Sequence, residues 1–319
     1  MKAVNHADVR RRRPKISGIK MRQAANCEDI STELGTRDLS LSTWMGRLAA
    51  LSLFVATPSF GQEASCGDRD TPCEIDEGTY HIMVPEGEIK GTVVHLHGGG
   101  GRARGLLRTN LARLSLERGY AFIAPQGYHP GRRFAYNWSV RAAGTPFETD
   151  DIDLLRAVMA DAVEKHGAND DNVLLAGFSR GGSMVWDVAC HAPDFATAFA
   201  PAAGAFWDPM PEGCNGPVDL FHTHGWNDRT VPLEGRSLRE GTVVQGDVWE
   251  SLKILRANNG CEARQPAKNV IDDTGWWRFW SDCNAGSIDL WLFDGGHGVP
   301  RGWAPAVLDW FEAKMAEGA

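Results

Sequence analysis

Gly177-Phe178-Ser179-Arg180-Gly181 has the form G-x-S-x-G. It follows the apolar run Val173-Leu174-Leu175-Ala176 and precedes a segment with helical character. Such a strand-to-helix turn holds its serine in a strained conformation. The residues two before and two after must be small, because they crowd the turn. The hydroxyl then stands above the sheet edge, and the backbone N–H of Arg180, at the start of a helix, points where an oxyanion would form.

A serine hydroxyl needs a base to become a nucleophile. In folds built on this turn the order along the chain is serine, acid, histidine, each on a loop after a strand. His297 lies in Asp294-Gly295-Gly296-His297-Gly298, directly after the strand-like run Ser287 to Phe293. His191 falls at a helix end, and His222 and His224 flank a strand end, which fits structural roles. Asp228 is the best placed acid, in the loop after Val218 to Thr223; it would fix the imidazole tautomer and stabilise the imidazolium. Asp219 sits inside a strand, Asp208 in a proline-rich loop, and Asp294 is too close to His297 in sequence to be its usual partner. A second oxyanion donor is expected from Gly98 and Gly99 in His97-Gly98-Gly99-Gly100-Gly101, after the strand Thr92 to Leu96. No Gly-Lys-Ser/Thr follows these glycines, so they do not form a phosphate loop.

The elements that must carry these residues alternate. Strand-like runs are Tyr80–Val84, Thr92–Leu96, Tyr120–Ala124, Asn172–Ala176, Phe195–Ala200, Val218–Thr223 and Ser287–Phe293. Helical segments are Leu106–Arg118, Asp151–His166, Gly181–His191, Thr242–Asn258 and Pro305–Met315. Continuous apolar strands alternating with amphipathic helices predict an α/β fold with a mostly parallel sheet covered on both faces. Gly127 to Glu148, rich in aromatics, Gly and Pro without period, is a loop expected to wall the site.

The N-terminus differs in kind. Arg10-Arg11-Arg12-Arg13, then Arg47, precede the apolar run Leu48–Ala56 and the small residues Ser59 and Gly61. This is the pattern of a secretory signal, so residues 1–61 are expected to be removed and 62–319 to form one catalytic domain. The segment holds ten Lys/Arg and five Asp/Glu, a net of +5, so the whole chain's −8 leaves −13 on the remainder. An acidic domain argues against nucleic acid and anionic membrane surfaces as partners. After the cut six cysteines remain: Cys66, Cys73, Cys190, Cys214, Cys261 and Cys283. An even count fits disulfides in an oxidising compartment, secreted or periplasmic, with nearest neighbours paired as one option that spacing alone does not fix. No C-x-x-C or H-E-x-x-H occurs, so neither metal nor cofactor is expected.

Taken together, the motifs resemble secreted poly(3-hydroxybutyrate) depolymerases and feruloyl esterase-like α/β-hydrolases, related to carbohydrate esterase family 1. The likeness runs from Pro72-Cys73 through Gly78-Thr79-Tyr80, Leu96-His97-Gly98-Gly99, Asp150-Asp151, Gly177 to Met184, His224-Gly225 to Asp228 with Val231-Pro232, and Gly295-Gly296-His297. It implies an α/β-hydrolase fold and an esterase working through an acyl-enzyme. The expected substrates are polyhydroxyalkanoate oligomers, or feruloyl and acetyl esters of plant polysaccharide. Two departures lie near the cleft. Arg180 stands where the family has a small residue, and Gly298-Val299-Pro300 where a Trp-Pro pair often follows the histidine. Tyr128, Trp138, Trp207, Trp226 and Trp303 are candidates for a substrate groove, with burial in the core the competing role. A serine peptidase with the same triad, or a non-catalytic binding protein on this scaffold, are the rival functions.

Overall fold

The computed structural model describes residues 66–132, 135–141, 149–261 and 264–318. The leader, residues 1–61, lies outside them, as do Arg133, Phe134 and residues 142–148 of the wall loop.

Ten strands form one sheet: β1 (Cys73–Ile75), β2 (Gly78–Met83), β3 (Gly91–Leu96), β4 (Tyr120–Pro125), β5 (Val173–Phe178), β6 (Ala198–Ala202), β7 (Asp219–Gly225), and, after a small separate ribbon of β8 (Arg236–Leu238) and β9 (Val243–Gln245), β10 (Lys268–Asp272), β11 (Gly275–Trp280) and β12 (Ser287–Phe293). Their spatial order is β1-β2-β4-β3-β5-β6-β7-β12-β11-β10. The six central strands from β4 to β12 run parallel, and an antiparallel pair extends each edge. Strands β3, β4, β6 and β12 are buried at every position, as a parallel sheet covered on both faces requires.

Among the described residues six helices accompany the sheet: α1 (Ala103–Leu106), α2 (Asn110–Glu117), α3 (Asp151–His166), α4 (Arg180–His191), α5 (Val248–Asn258) and α6 (Trp303–Gly318). Two apolar layers result. One contains Leu155, Val158, Val185, Trp186, Leu252 and Leu255; the other contains Leu111, Phe122, Leu174, Val307 and Phe311. Three disulfides join the nearest cysteines in sequence: Cys66–Cys73, Cys190–Cys214 and Cys261–Cys283. No helix among the described residues is long and apolar enough to cross a membrane.

Three sequence expectations need correcting. The segment 106–118 is not one helix, because Thr109 caps a fresh start by accepting from the Ala112 N–H. Residues 195–200 begin in a 3-10 turn entered at Pro193, and the strand starts only at Ala198. Residues 242–258 are split. Val243–Gln245 pair with β8, and the helix starts after Asp247, whose carboxylate accepts from the Trp249 and Glu250 N–H groups.

The chain reverses its direction of sheet growth at β3, with β4 added on one side and β5 on the other. Loops leaving the carboxyl ends of β3 and β5 therefore diverge and leave a crevice, where ligands bind in open α/β sheets.

Candidate active site

Ser179 sits in that crevice, between β5 and α4, with φ 57° and ψ −117°. A non-glycine residue there costs about 1–3 kcal/mol and persists only when its surroundings hold it. Here the Ser179 N–H donates to the Ala202 carbonyl at 2.9 Å, and the Ser179 carbonyl accepts from Ser183 N–H at 2.9 Å. The flanking glycines have a steric reason. A Cβ on Gly177 would strike the backbone of Gly181, and one on Gly181 would strike the Leu96 and His97 carbonyls.

His297 and Asp228 arrive from the ends of β12 and β7. His297 Nε2 lies 2.8 Å from Ser179 Oγ, and His297 Nδ1 lies 2.7 Å from Asp228 Oδ2. The other carboxylate oxygen, Oδ1, accepts from the N–H groups of Thr230 at 2.8 Å and Val231 at 2.9 Å. Burial alone would raise the Asp228 pKa; the bonds from His297, Val231 and Thr230 outweigh it and hold the group below its ordinary 3.8. Asp228 is thus a buried, oriented anion beside the imidazole.

His222 and His224 stand behind the acid. His224 Nε2 is 2.8 Å from the Val231 carbonyl, 3.5 Å from Asp228 Oδ2, and its Nδ1 is 3.0 Å from His222 Nε2. Burial lowers the pKa of both rings, and their hydrogen bonds go to the Pro201 and Val231 carbonyls and to each other.

The loop after β3 lies against the nucleophile turn. A Cβ on Gly98 would sit 3.4 Å from the Ser179 Cβ, and one on Gly99 would sit 3.6 Å from the Arg180 Cβ. His97 pins this loop. Its Nδ1 is 2.8 Å from the Gly98 carbonyl, its Nε2 is 2.7 Å from Gln126 Nε2, and its own carbonyl accepts from Trp138 Nε1 at 2.7 Å. The Gly100 and Gly101 N–H groups are taken by the Tyr136 and Gly98 carbonyls, whereas those of Gly98 and Gly99 have no recorded partner among the described residues. Together with the Arg180 N–H at the first turn of α4, they are the donors available to an oxyanion.

Comparison with known proteins bears on the fold and the class of reaction. No family model matches the chain. The Aspergillus terreus protein named "Probable feruloyl esterase C" is 26% identical over 270 residues, 77% of this chain and 87% of that protein. Feruloyl esterase C of Emericella nidulans is 27% identical over 187 residues, 57% of this chain and 58% of the relative. An acetyl xylan esterase from Aspergillus awamori superposes with a TM-score of 0.56 at 18% identity, over 73% of this chain and 93% of the other, which shows the shared fold. The chain has the α/β-hydrolase fold and is similar to feruloyl esterases.

The hydrolase has a cavity of about 580 Å³ directly over Ser179 and His297. Its walls include Gly98, Gly99, Asn137 and Arg132 from the loops after β3 and β4, and Arg236, Leu238, Arg239, Val243 and Gln245 from the β8–β9 ribbon. Of the aromatic groove candidates only Trp207 lines it. Trp138 and Trp303 are core residues instead. Each is buried and spends its indole N–H inside the protein, Trp138 on the His97 carbonyl and Trp303 on Thr223 Oγ1. Tyr128 is exposed and belongs to a second cavity beside Asp150 and Asp151. Trp226 is 44% exposed and stacks on Trp276, outside the cavity wall. Arg236 and Arg239 were not singled out from the sequence. The signal that could have exposed them was the Asp247 cap, which shortens the apparent helix and frees 236–245 to form a ribbon.

Among the described residues one grouping has metal-type ligands, Cys66, Cys73 and His166, and its two sulfurs are joined in a disulfide. That leaves no thiolate for a cation.

Proposed function

We propose that this carboxylic ester hydrolase works through an acyl-enzyme formed on Ser179. The observation that carries the proposal is the unbroken chain from Ser179 Oγ to His297 at 2.8 Å and from His297 to Asp228 at 2.7 Å. His297 Nε2 takes the hydroxyl proton as Oγ attacks the ester carbonyl. Asp228 stabilises the imidazolium, and the N–H groups of Arg180, Gly98 and Gly99 hold the oxyanion. The tetrahedral adduct collapses, and the alcohol leaves with the proton from His297. Water then attacks the acyl-enzyme with His297 again as base, releasing the acid and restoring Ser179.

The substrates are feruloyl or acetyl esters of plant polysaccharide, or polyhydroxyalkanoate oligomers. Likeness to proteins named feruloyl esterases supports the first class. Resemblance of the sequence motifs to depolymerases supports the second. The domain from residue 62 onward acts after export, its leader removed; three disulfides favour an oxidising compartment.

The test is turnover of p-nitrophenyl esters of rising acyl length, a feruloyl ester and a hydroxybutyrate trimer, with labelling by a fluorophosphonate. The expected result is labelling at Ser179 and loss of both labelling and turnover in Ser179→Ala. Turnover that persists in Ser179→Ala would refute the mechanism.

A further inference from the structure

Two histidines outside the Ser179–His297–Asp228 row lie directly behind it. His222 and His224 are two residues apart on β7, so their rings share one face of the sheet, and both are fully buried. Burying two imidazoles is costly unless their nitrogens find partners. Each nitrogen has a neighbour. His222 Nδ1 lies 3.1 Å from the Pro201 carbonyl, and His222 Nε2 lies 3.0 Å from His224 Nδ1. His224 Nε2 lies 2.8 Å from the Val231 carbonyl and 3.5 Å from Asp228 Oδ2.

Counting hydrogens along this row fixes the tautomer beside the acid. Three contacts run from Pro201 through both rings to Val231, and each needs one hydrogen. Two neutral rings bring only two. A third proton is disfavoured, because burial lowers the pKa of both rings and at His224 outweighs the carboxylates of Asp228 and Glu234. One contact therefore goes without a hydrogen. It is not the one at Val231. That contact is the shortest of the three, and there alone the hydrogen also meets an anion. His224 thus carries its hydrogen on Nε2 and presents a lone pair at Nδ1.

The place of that hydrogen matters, because Val231 closes the turn that carries the acid. The Val231 N–H donates to Asp228 Oδ1, and the Val231 carbonyl takes the His224 hydrogen. The same N–H edge faces Oδ2 at 3.5 Å, an electrostatic contact rather than a full hydrogen bond. Oδ2 is the oxygen 2.7 Å from His297 Nδ1. The two carboxylate oxygens are therefore held separately: Oδ1 by the backbone of its own turn, Oδ2 between His297 in front and His224 behind.

We propose that His224 is a positioning residue for hydrolysis at Ser179: its Nε2–H locks the 228–231 turn and fixes the direction in which Asp228 Oδ2 meets His297. The proposal rests on the serine-esterase reading of the same site. His224 is fully buried and is not among the described residues that wall the cavity, so it acts through Asp228 and moves no proton in the reaction.

The test has two arms. In wild-type protein with isotope-labelled histidine at neutral pH, nitrogen NMR should show His224 with its hydrogen on Nε2 and a bare Nδ1, assigned by loss of these signals in His224→Gln. In the kinetic arm, His224→Phe keeps a flat ring and removes the donor. It should lower kcat on p-nitrophenyl butyrate by about tenfold to a hundredfold, with KM within about twofold. His224→Gln, whose amide N–H reaches the place of Nε2, should recover most of that loss. In an Asp228→Asn background, adding His224→Phe should cost less than about twofold, read by turnover and by the rate of fluorophosphonate labelling, because the group it positions is already gone. A urea melt of each variant checks folding. Should His224→Phe not fold, His224→Asn, whose shorter amide falls short of Val231, takes its place with the same expected loss. A His224 Nε2 without its hydrogen, or a loss of equal size with and without Asp228→Asn, would overturn the proposal. Absence of both turnover and labelling in the wild type would instead bring down the serine-esterase reading, and this role with it.

Discussion

Asp228→Asn isolates the part of the triad that does not touch substrate. Asp228 Oδ1 accepts from the Thr230 and Val231 N–H groups, so the asparagine oxygen must keep that place. Its NH₂ group then faces His297 Nδ1, where the carboxylate oxygen stood at 2.7 Å. Two donors cannot face each other, so Nδ1 loses its hydrogen and the proton moves to Nε2, 2.8 Å from Ser179 Oγ. The ring is then a donor toward the hydroxyl and cannot take its proton. Turning the amide over would restore the tautomer, but would leave two buried N–H groups without an acceptor at about 1–3 kcal/mol each. Loss of the charge-assisted bond to the imidazolium adds about 1.5–3 kcal/mol. A total near 5 kcal/mol corresponds to a fall in kcat of between about 10³ and 10⁴. The assay is kcat/KM on p-nitrophenyl butyrate, with the fluorophosphonate labelling rate as a second readout and circular dichroism to verify folding. Activity within about tenfold of wild type would refute the tautomer argument.

Two further outcomes follow from the packing. Gly181→Ala places a methyl group against the Leu96 and His97 carbonyls, which lead into the oxyanion loop. It should cost about 1–3 kcal/mol in a urea melt and lower kcat by about 10² or more; a variant with normal kcat would show that the loop tolerates displacement. Asp289 is buried on β12, where burial pushes its carboxyl up to about 7 against the bond from Trp310 Nε1 and the charge of Lys314. The native state therefore holds a proton from the ordinary carboxylate range up to about 7 that the unfolded chain releases, so stability falls as pH rises through that window. Asp289→Asn should remove this loss, exceeding the wild type's stability at pH 8 by up to about 4 kcal/mol and by less than about 2 kcal/mol at pH 5. A difference that does not change with pH would refute the assignment.

What could be read from the sequence followed from how each feature is encoded. The nucleophile turn is local: two glycines, a serine between them, an apolar strand before and a helix after. Parallel strands buried on both faces are continuous apolar runs, so β3, β4, β5, β7 and β12 were legible within a residue or two. The edge hairpin of β10 and β11 was not. Apart from the buried Trp280 its strands are exposed or half-buried and mix charge with tryptophan, leaving neither a clean alternation nor an apolar run. The tryptophans show a harder limit. Trp138 and Trp207 are the same side chain in similar loop sequence, yet one carries the oxyanion loop from beneath and the other faces the cavity. Local composition holds nothing that decides between them, because the choice depends on which distant group receives the indole N–H, the His97 carbonyl for Trp138 and Ser183 Oγ for Trp207.

Arg180 brings these threads together. In sequence its backbone N–H has a purpose, as an oxyanion donor, while its side chain is only a departure beside the nucleophile. Its neighbours in space, Arg236 and Arg239, come from a ribbon more than fifty residues later, concealed inside what resembled the approach to a helix. Catalytic groups are legible because chemistry restricts both their identity and their order along the chain. Residues that only wall the cavity carry no such restriction: any loop that reaches the rim can supply them. An arginine cluster at the rim is therefore visible only once the fold has brought its members together.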